Sequence, residues 1–274
     1  MVSGGERSGD TRRVGRAWRK PAFIALGLGG VIAAWEALVF ALGIKPFLLP
    51  APSLVLRQTA RRWDVVADAA LFTAQSMLVG FVASVVIGVL LALVVAFSRR
   101  LEELIYPVLV FLQIVPKIAI APLFLIWIGY GLTSKVLIVF LLSFFPVLVS
   151  SIAAFKSVDP EIMDLARSTG ASRWRIFFMV RLPHAMPTLF TGIKVAAALS
   201  ATAAVVAEFV ASDRGLGYKI QEYTNNFDTP MTFGAILVLC VMGLLLYAAV
   251  ELAERVAIPW HVSRRASADG AAGS

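Results

Sequence analysis

The chain has 274 residues, 59% of them hydrophobic and only 15% charged, with a mean hydropathy of +0.83 and a net charge of +8. Soluble globular domains are nearer half apolar and a quarter charged, so a soluble enzyme domain, a disordered protein and a coiled coil are excluded. The length suits several membrane spans of roughly 20 apolar residues each, and the expected fold class is all-α, a polytopic membrane helix bundle.

Residues 1–20 are polar and basic, with Arg7, Arg12, Arg13, Arg16, Arg19 and Lys20. The apolar run behind them, Pro21 to about Ile44, is longer than a signal-peptide core and has no small-residue cleavage site after it. Arg12-Arg13 is not read as a twin-arginine signal, because the run that follows is span-length and starts several residues later. The expectation is a cytoplasmic tail, 1–20, leading into an uncleaved first span of a transmembrane domain covering 21–261. Residues 45–69 are mixed, and Ser53 is expected to open a short amphipathic helix on the membrane surface, with Leu54, Val55 and Trp63 as its apolar side.

Further apolar runs cover about Ala70 to Phe97, Leu104 to Gly129, Val136 to Ala154, Thr188 to Val210 and Met231 to Leu252. The second of these carries Pro107, Pro116 and Pro122. The hydropathy rule then predicts about six spans. The last residues, 262–274, are small and polar and are expected to be a disordered cytoplasmic tail. With the N-terminus inside, the inner segments hold most of the basic residues: the N-terminal group, Arg99, Arg100, five in 155–187, and Arg255, Arg264 and Arg265. That bias supports cytoplasmic termini and a cytoplasmic 155–187 segment, with Lys135 and Asp213 outside.

The basic balance also raises nucleic acid as a partner. No run of basic residues interleaved with stacking aromatics lies outside the apolar segments, so membrane lipid is the expected partner and nucleic acid is not. One cysteine, Cys240, sits in an apolar run and reads as a small core hydrophobe. With only two histidines beside it, a His/Cys zinc site within the chain is not expected.

Residues 155–187 are the most informative stretch. Asp159-Pro160-Glu161 reads as a helix start, with Asp as N-cap, Pro at the first helical position and Glu beside the positive end of the dipole. Ile162, Leu165 and Ala166 then fall on one apolar stripe. Gly170 is expected to end that helix in a left-handed conformation. Ser172 can cap a second helix, from Arg173 to about Arg181, stopped by Leu182-Pro183. The product is a helix–turn–helix elbow between two spans, too elaborate for a plain connector.

This segment resembles the Glu-Ala-Ala loop of permease subunits of binding-protein-dependent ABC importers. Asp164-Leu165-Ala166, Gly170, Val180 and Leu182-Pro183 carry the likeness, with the Gly and the Leu-Pro at matching spacing. Asp stands for the usual Glu, Leu for the first Ala and Val for the usual Ile. Ile114-Val115-Pro116-Lys117, Ala121-Pro122-Leu123, Ala207-Glu208-Phe209-Val210-Ala211-Ser212 and Gly215-Leu216-Gly217-Tyr218 are similar to the nitrate/sulfonate/taurine branch. The resemblance implies the type I importer permease fold in a bacterial plasma (inner) membrane. It also implies a homodimer working with two ABC ATPase subunits and an extracytoplasmic solute-binding protein. Asp164, Leu165, Ala166, Gly170, Leu182 and Pro183 are then the ATPase-coupling loop. ATP and Mg would bind the partner ATPase and no cofactor this chain, which has no Gly-x-x-x-x-Gly-Lys-Ser/Thr phosphate loop and no expected enzyme activity. The cargo implied is a small anion such as a sulfonate, taurine or nitrate; related permeases carry vitamin precursors such as pyrimidines or riboflavin.

Within the spans, Gln113, Pro116, Lys117 and Glu208 are translocation-path candidates. A charge at the bilayer centre costs roughly 3 kcal/mol or more, so Lys117 must face protein, water or cargo. It either lines the path, where an ammonium favours an anion, or pairs with a carbonyl freed by the prolines. Glu36 and Glu208 are its available acidic partners. Ser143 is a further inward-facing polar residue or a packing serine. Lys194 is expected to snorkel towards the cytoplasm, and His184 to be a surface residue. Gly215-Leu216-Gly217 reads equally as a flexible turn or as a re-entrant loop meeting a binding protein. The rival class, a self-sufficient secondary carrier, would show an inverted repeat and paired broken helices; the sequence displays no repeat, and the elbow would have no purpose. A membrane enzyme is less well supported still, since no nucleophile–base or metal constellation stands out.

Overall fold

The computed structural model describes residues 10–260; the expectations for 1–9 and for the tail 262–274 lie outside them. Among the described residues the fold is all helical. The elements are α1 (Asp10–Ala41), α2 (Pro52–Arg61), α3 (Trp63–Phe97), α4 (Arg99–Ile114), α5 (Lys117–Ile128) and α6 (Leu132–Lys156). They are followed by α7 (Pro160–Ser168), α8 (Arg173–Ile176), a π-helical turn (Phe177–Arg181), α9 (Leu182–Ala211), α10 (Leu216–Asn225) and α11 (Thr229–Ala257). Helix α1 reaches back into the segment read from sequence as a tail.

Among the described residues, four helical stretches are long and apolar enough to cross a membrane: α3, α6, the run Arg173–Val210 and α11. A fifth is the pair α4 and α5, bent by 92° across a short break. Helix α1 contributes an apolar stretch that includes Leu26–Ala41. The single span expected from Leu104 to Gly129 is thus two helices. The break falls at Val115-Pro116, where proline removes a backbone donor and crowds the preceding turn. Pro107 and Pro122 stay inside their helices.

Two compact units divide the chain. The first holds residues up to Trp63 together with Tyr223–Gly234. Here α2 begins with Pro52 at its first position and no side-chain cap from Ala51. Its capping group comes from α1: the Glu36 carboxylate accepts from the Ser53 N–H at 3.0 Å and from the Ser53 hydroxyl at 2.5 Å. Ser53 is therefore a donor to Glu36 and not the opening cap, and Glu36 is engaged within this unit. Arg62 pairs with Asp228 at 2.7 Å. Trp63 belongs to α3, which starts there and not at Ala70, and it is exposed.

The second unit spans Asp64–Glu222 and the chain from Ala235 onwards. Within it α6 packs extensively against α9. The main core gathers Phe81, Ala92 and Val95 from α3, Phe145, Leu148 and Phe155 from α6, and Ile193, Ala196 and Ala197 from α9. Close approach depends on small residues, as membrane interfaces favour: a Cβ at Gly192 would collide with the side chain of Ser150 on α6. Replacing Gly192 with valine is expected to push α6 and α9 apart and cost about 1–3 kcal/mol. The check is a lower thermal midpoint in detergent, with an exposed-face control such as Leu244→Val left unchanged.

Two expectations about single residues are corrected here. Lys194 does not snorkel; it forms a buried ion pair with Glu254, joining α9 to α11. Burying the pair together is the better solution where a lone ammonium would be costly. Cys240 is exposed on α11 and not in the core, as are Leu244 and Leu245; Leu71 and Leu90 are likewise exposed on α3. In a span the apolar outer face meets lipid, so hydropathy does not report burial within the protein.

Candidate functional site

The elbow is built as its local chemistry dictates. Asp159 Oδ1 accepts from the Glu161 N–H at 2.9 Å and Pro160 takes the first helical position of α7. Asp164 and Arg167 pair at 3.1 Å on the exposed surface, worth a few tenths of a kcal/mol at most. The Ser168 and Thr169 hydroxyls donate to the carbonyls of Leu165 and Ala166, each at 2.8 Å, closing the last turn. Gly170 follows with φ +73°, the left-handed conformation expected of it. Ser172 then accepts from the Arg175 N–H at 3.3 Å and starts α8.

The second arm differs from expectation. Leu182-Pro183 does not stop a helix; the chain passes from α8 through the π turn directly into α9. The Leu182 N–H bonds to the Phe177 carbonyl five residues back. A wider turn of this kind makes room for a proline ring that would crowd an ordinary helical turn. The elbow is therefore continuous with α9. It is seated by Phe155, Val158, Ile176 and Phe177, all buried, with the Phe155 and Phe177 rings 6.0 Å apart.

No residue of α7 is buried. Ile162 is 47% exposed and Leu165 69%, with Ala166 beside them. Helix α7 is thus well capped and presents apolar side chains outward, away from its own core.

The translocation candidates separate into two places. Gln113 and Pro116 are exposed at the α4–α5 break, and Lys117 is the first residue of α5. The Lys117 ammonium donates to the Gln113 carbonyl at 3.1 Å and lies 4.6 Å from the centre of the Phe145 ring. In an unbroken helix that carbonyl would accept the backbone N–H of Lys117; across the break the side chain takes over the role. Neither Glu36 nor Glu208 is the partner found for Lys117.

Glu208 lies on α9 and is fully buried. Its Oε2 accepts from the Gly217 N–H at 2.6 Å. Thr73 of α3 accepts from the neighbouring Leu216 N–H at 2.8 Å and donates to the Ala69 carbonyl at 3.1 Å. Together these two side chains satisfy donors at the N-terminus of α10. Gly215 has φ +101°, and a Cβ there would run into the Glu208 carboxyl group. Gly215-Leu216-Gly217 is thus a fitted cradle for a carboxylate. Lys135 of α6 completes the cluster: it is 2% exposed, its ammonium lies 4.2 Å from the Phe72 ring centre, and its charge acts on Glu208. Lys135, expected in an outer segment, belongs to α6, and Thr73 was not among the expected site residues. The clue in the sequence was the glycine pair spaced to admit a large buried group. Ser143 is also fully buried, and His184 is exposed.

Residues 84–259 match the family model described as binding-protein-dependent transport system inner membrane component. The riboflavin transport system permease protein RibX of Chloroflexus aurantiacus is 37% identical over 85% of this chain and 88% of that protein. The formylaminopyrimidine transport permease protein ThiX of Halalkalibacterium halodurans is 32% identical over 84% and 92%. The taurine transport system permease protein TauC of Escherichia coli is 29% identical over 92% and 95%. An inward-facing structure of the MetNI methionine ABC transporter contains a chain of the same fold, with a TM-score of 0.60 at 17% identity, covering 72% of this chain and 97% of that one.

Proposed function

Because this chain belongs to the binding-protein-dependent transport system inner membrane components, as a permease subunit of an ABC importer that is not itself an enzyme, we propose that it couples ATP hydrolysis to passage of a heterocyclic vitamin precursor. The observation that supports the coupling reading is α7: capped at both ends, apolar on its exposed face, and joined by the turn at Gly170 to α8, which runs through the π turn into α9. A partner ATPase holding ATP and Mg would grip Asp164, Leu165 and Ala166, and its rigid-body movement would pass along α9 into the bundle. Leu182 and Pro183 form the start of that lever. In this reading two copies of the chain surround the path, both termini and α7 face the cytoplasm, and a solute-binding protein delivers cargo from outside.

The anionic cargo was implied by the resemblance to the nitrate/sulfonate/taurine branch, and an ammonium at Lys117 open to the path would have added to it. Lys117 instead satisfies the Gln113 carbonyl and stacks on Phe145, which supports a bracing role. A pyrimidine or flavin cargo also agrees with the names of the riboflavin and formylaminopyrimidine permeases. The second reading, a sulfonate such as taurine, is favoured by the similarity to the taurine permease along 92% of the chain.

The test is uptake into vesicles holding the permease, its ATPase and its binding protein, with riboflavin, a formylaminopyrimidine and taurine as cargo. Heterocycle uptake that needs the ATPase is the expected result. Lys117→Gln should lower the amount of assembled complex, through a loss of about 1–3 kcal/mol for the unmet carbonyl, without altering cargo preference per complex. Selective loss of taurine uptake in that variant would make Lys117 a path residue and the cargo an anion.

A further inference from the structure

We propose that the cavity beneath the elbow is a binding site for the headgroup of an anionic phospholipid. The cavity has a volume of about 1160 Å3 and lies within the second unit, where α3 ends, α4 begins and α6 ends against α7 and α8. Among the described residues that line it, Lys156, Arg167, Arg173 and Arg181 are basic and Glu103 is acidic. Arg167 already shares Asp164. Arg181 donates from one terminal nitrogen to the Ala96 carbonyl at 3.4 Å, while its Nε is buried without a hydrogen-bond partner. A buried guanidinium N–H left unmet is costly, and a phosphate oxygen is its natural acceptor.

The apolar surroundings decide between a lipid and a soluble anion. Phe97 and Phe177 line the cavity, and Trp174 and Phe178 continue the aromatic surface beside it. Phe97 is 46% exposed, Trp174 64% and Phe178 58%, with Met179 exposed alongside. Aromatic side chains at the ends of spans sit at headgroup level, and basic pockets between helices on the cytoplasmic side suit anionic headgroups. A free phosphate would use the arginines and leave this aromatic surface unmet; a phospholipid uses both. The side assigned to the membrane rests on the proposed cytoplasmic placement of the elbow.

The experiment uses the assembled permease–ATPase complex in nanodiscs of phosphatidylcholine with added phosphatidylglycerol. Native mass spectrometry reads which lipid stays bound after mild release. Phosphatidylglycerol should be retained in preference to phosphatidylcholine, and retention should fall roughly fivefold for each charge removed in Arg181→Gln and in the double variant Arg173→Gln/Arg181→Gln. Arg255→Gln on α11, outside the cavity, should change nothing. Equal retention of both lipids, or full retention by the double variant at an unchanged thermal midpoint, would overturn the proposal. Displacement by inorganic phosphate or glycerol phosphate would do so as well, since the site would then take a soluble anion. ATPase retention is scored in the same samples. Loss of the ATPase by the double variant with lipid retention unchanged assigns the cavity to the subunit interface and sinks the lipid site. Intact ATPase binding with loss of lipid supports it independently of the coupling reading.

Discussion

Gly170→Val is expected to reduce ATP-driven uptake while leaving the protein inserted and folded. Gly170 sits at φ +73°, and a Cβ added there would meet nothing within 4 Å, so the penalty is one of backbone conformation and not of crowding. A β-branched residue held there costs about 1–3 kcal/mol, and the chain can relieve that cost by tilting α7. If the ATPase binds only the untilted elbow, its affinity falls between roughly fivefold and 150-fold for that energy. Gly170→Asn is the matched control, because asparagine visits the left-handed region at lower cost. It should retain most of the uptake. Co-purification of the ATPase subunit and uptake per assembled complex are the measurements. Full ATPase retention with normal uptake in the valine variant would remove α7 from the coupling mechanism.

The second large effect is expected at Glu208. Truncation to alanine removes the acceptor for the Gly217 N–H, opens a hole in the Gly215–Gly217 cradle, and takes from buried Lys135 one of the two carboxylates that act on it, the other being Asp213. Breaking a buried charge arrangement by removing one member costs about 3–5 kcal/mol. The folded yield and thermal midpoint should drop, and amide exchange should rise first in α10. Glu208→Gln keeps an acceptor for Gly217 but not the charge, so its loss should be smaller. Adding Lys135→Met to Glu208→Gln should recover part of the stability, because the unbalanced ammonium is then gone. An unchanged midpoint in Glu208→Ala would mean that the cradle does not hold α10. A stable Glu208→Ala complex with slowed uptake would return Glu208 to the path, where the sequence alone had put it.

Much about this protein is determined by local chemistry and can be read without coordinates. Membrane helices need long apolar runs, and those runs are visible in the chain. The elbow is equally local: Asp159, Pro160, Gly170 and Ser172 act on backbone groups within three residues of themselves, and each does in the structure what its residue type demands. The positive φ of Gly170 belongs to this class. What the tertiary structure decided concerns polar groups whose partners are distant in sequence. Glu36 meets Ser53, Thr73 meets Leu216 across 143 positions, and Lys194 meets Glu254. Inside an apolar medium an unpaired charge is costly, so its presence in a span favours pairing but says nothing of which pairing. That is why Lys117 could be read as a path residue until the bend at Val115-Pro116 brought the Gln113 carbonyl to it, and why Lys194 could be read as snorkelling. The same limit explains Cys240. Hydropathy measures affinity for a nonpolar medium, and only the packing of the helices decides whether that medium is protein or lipid.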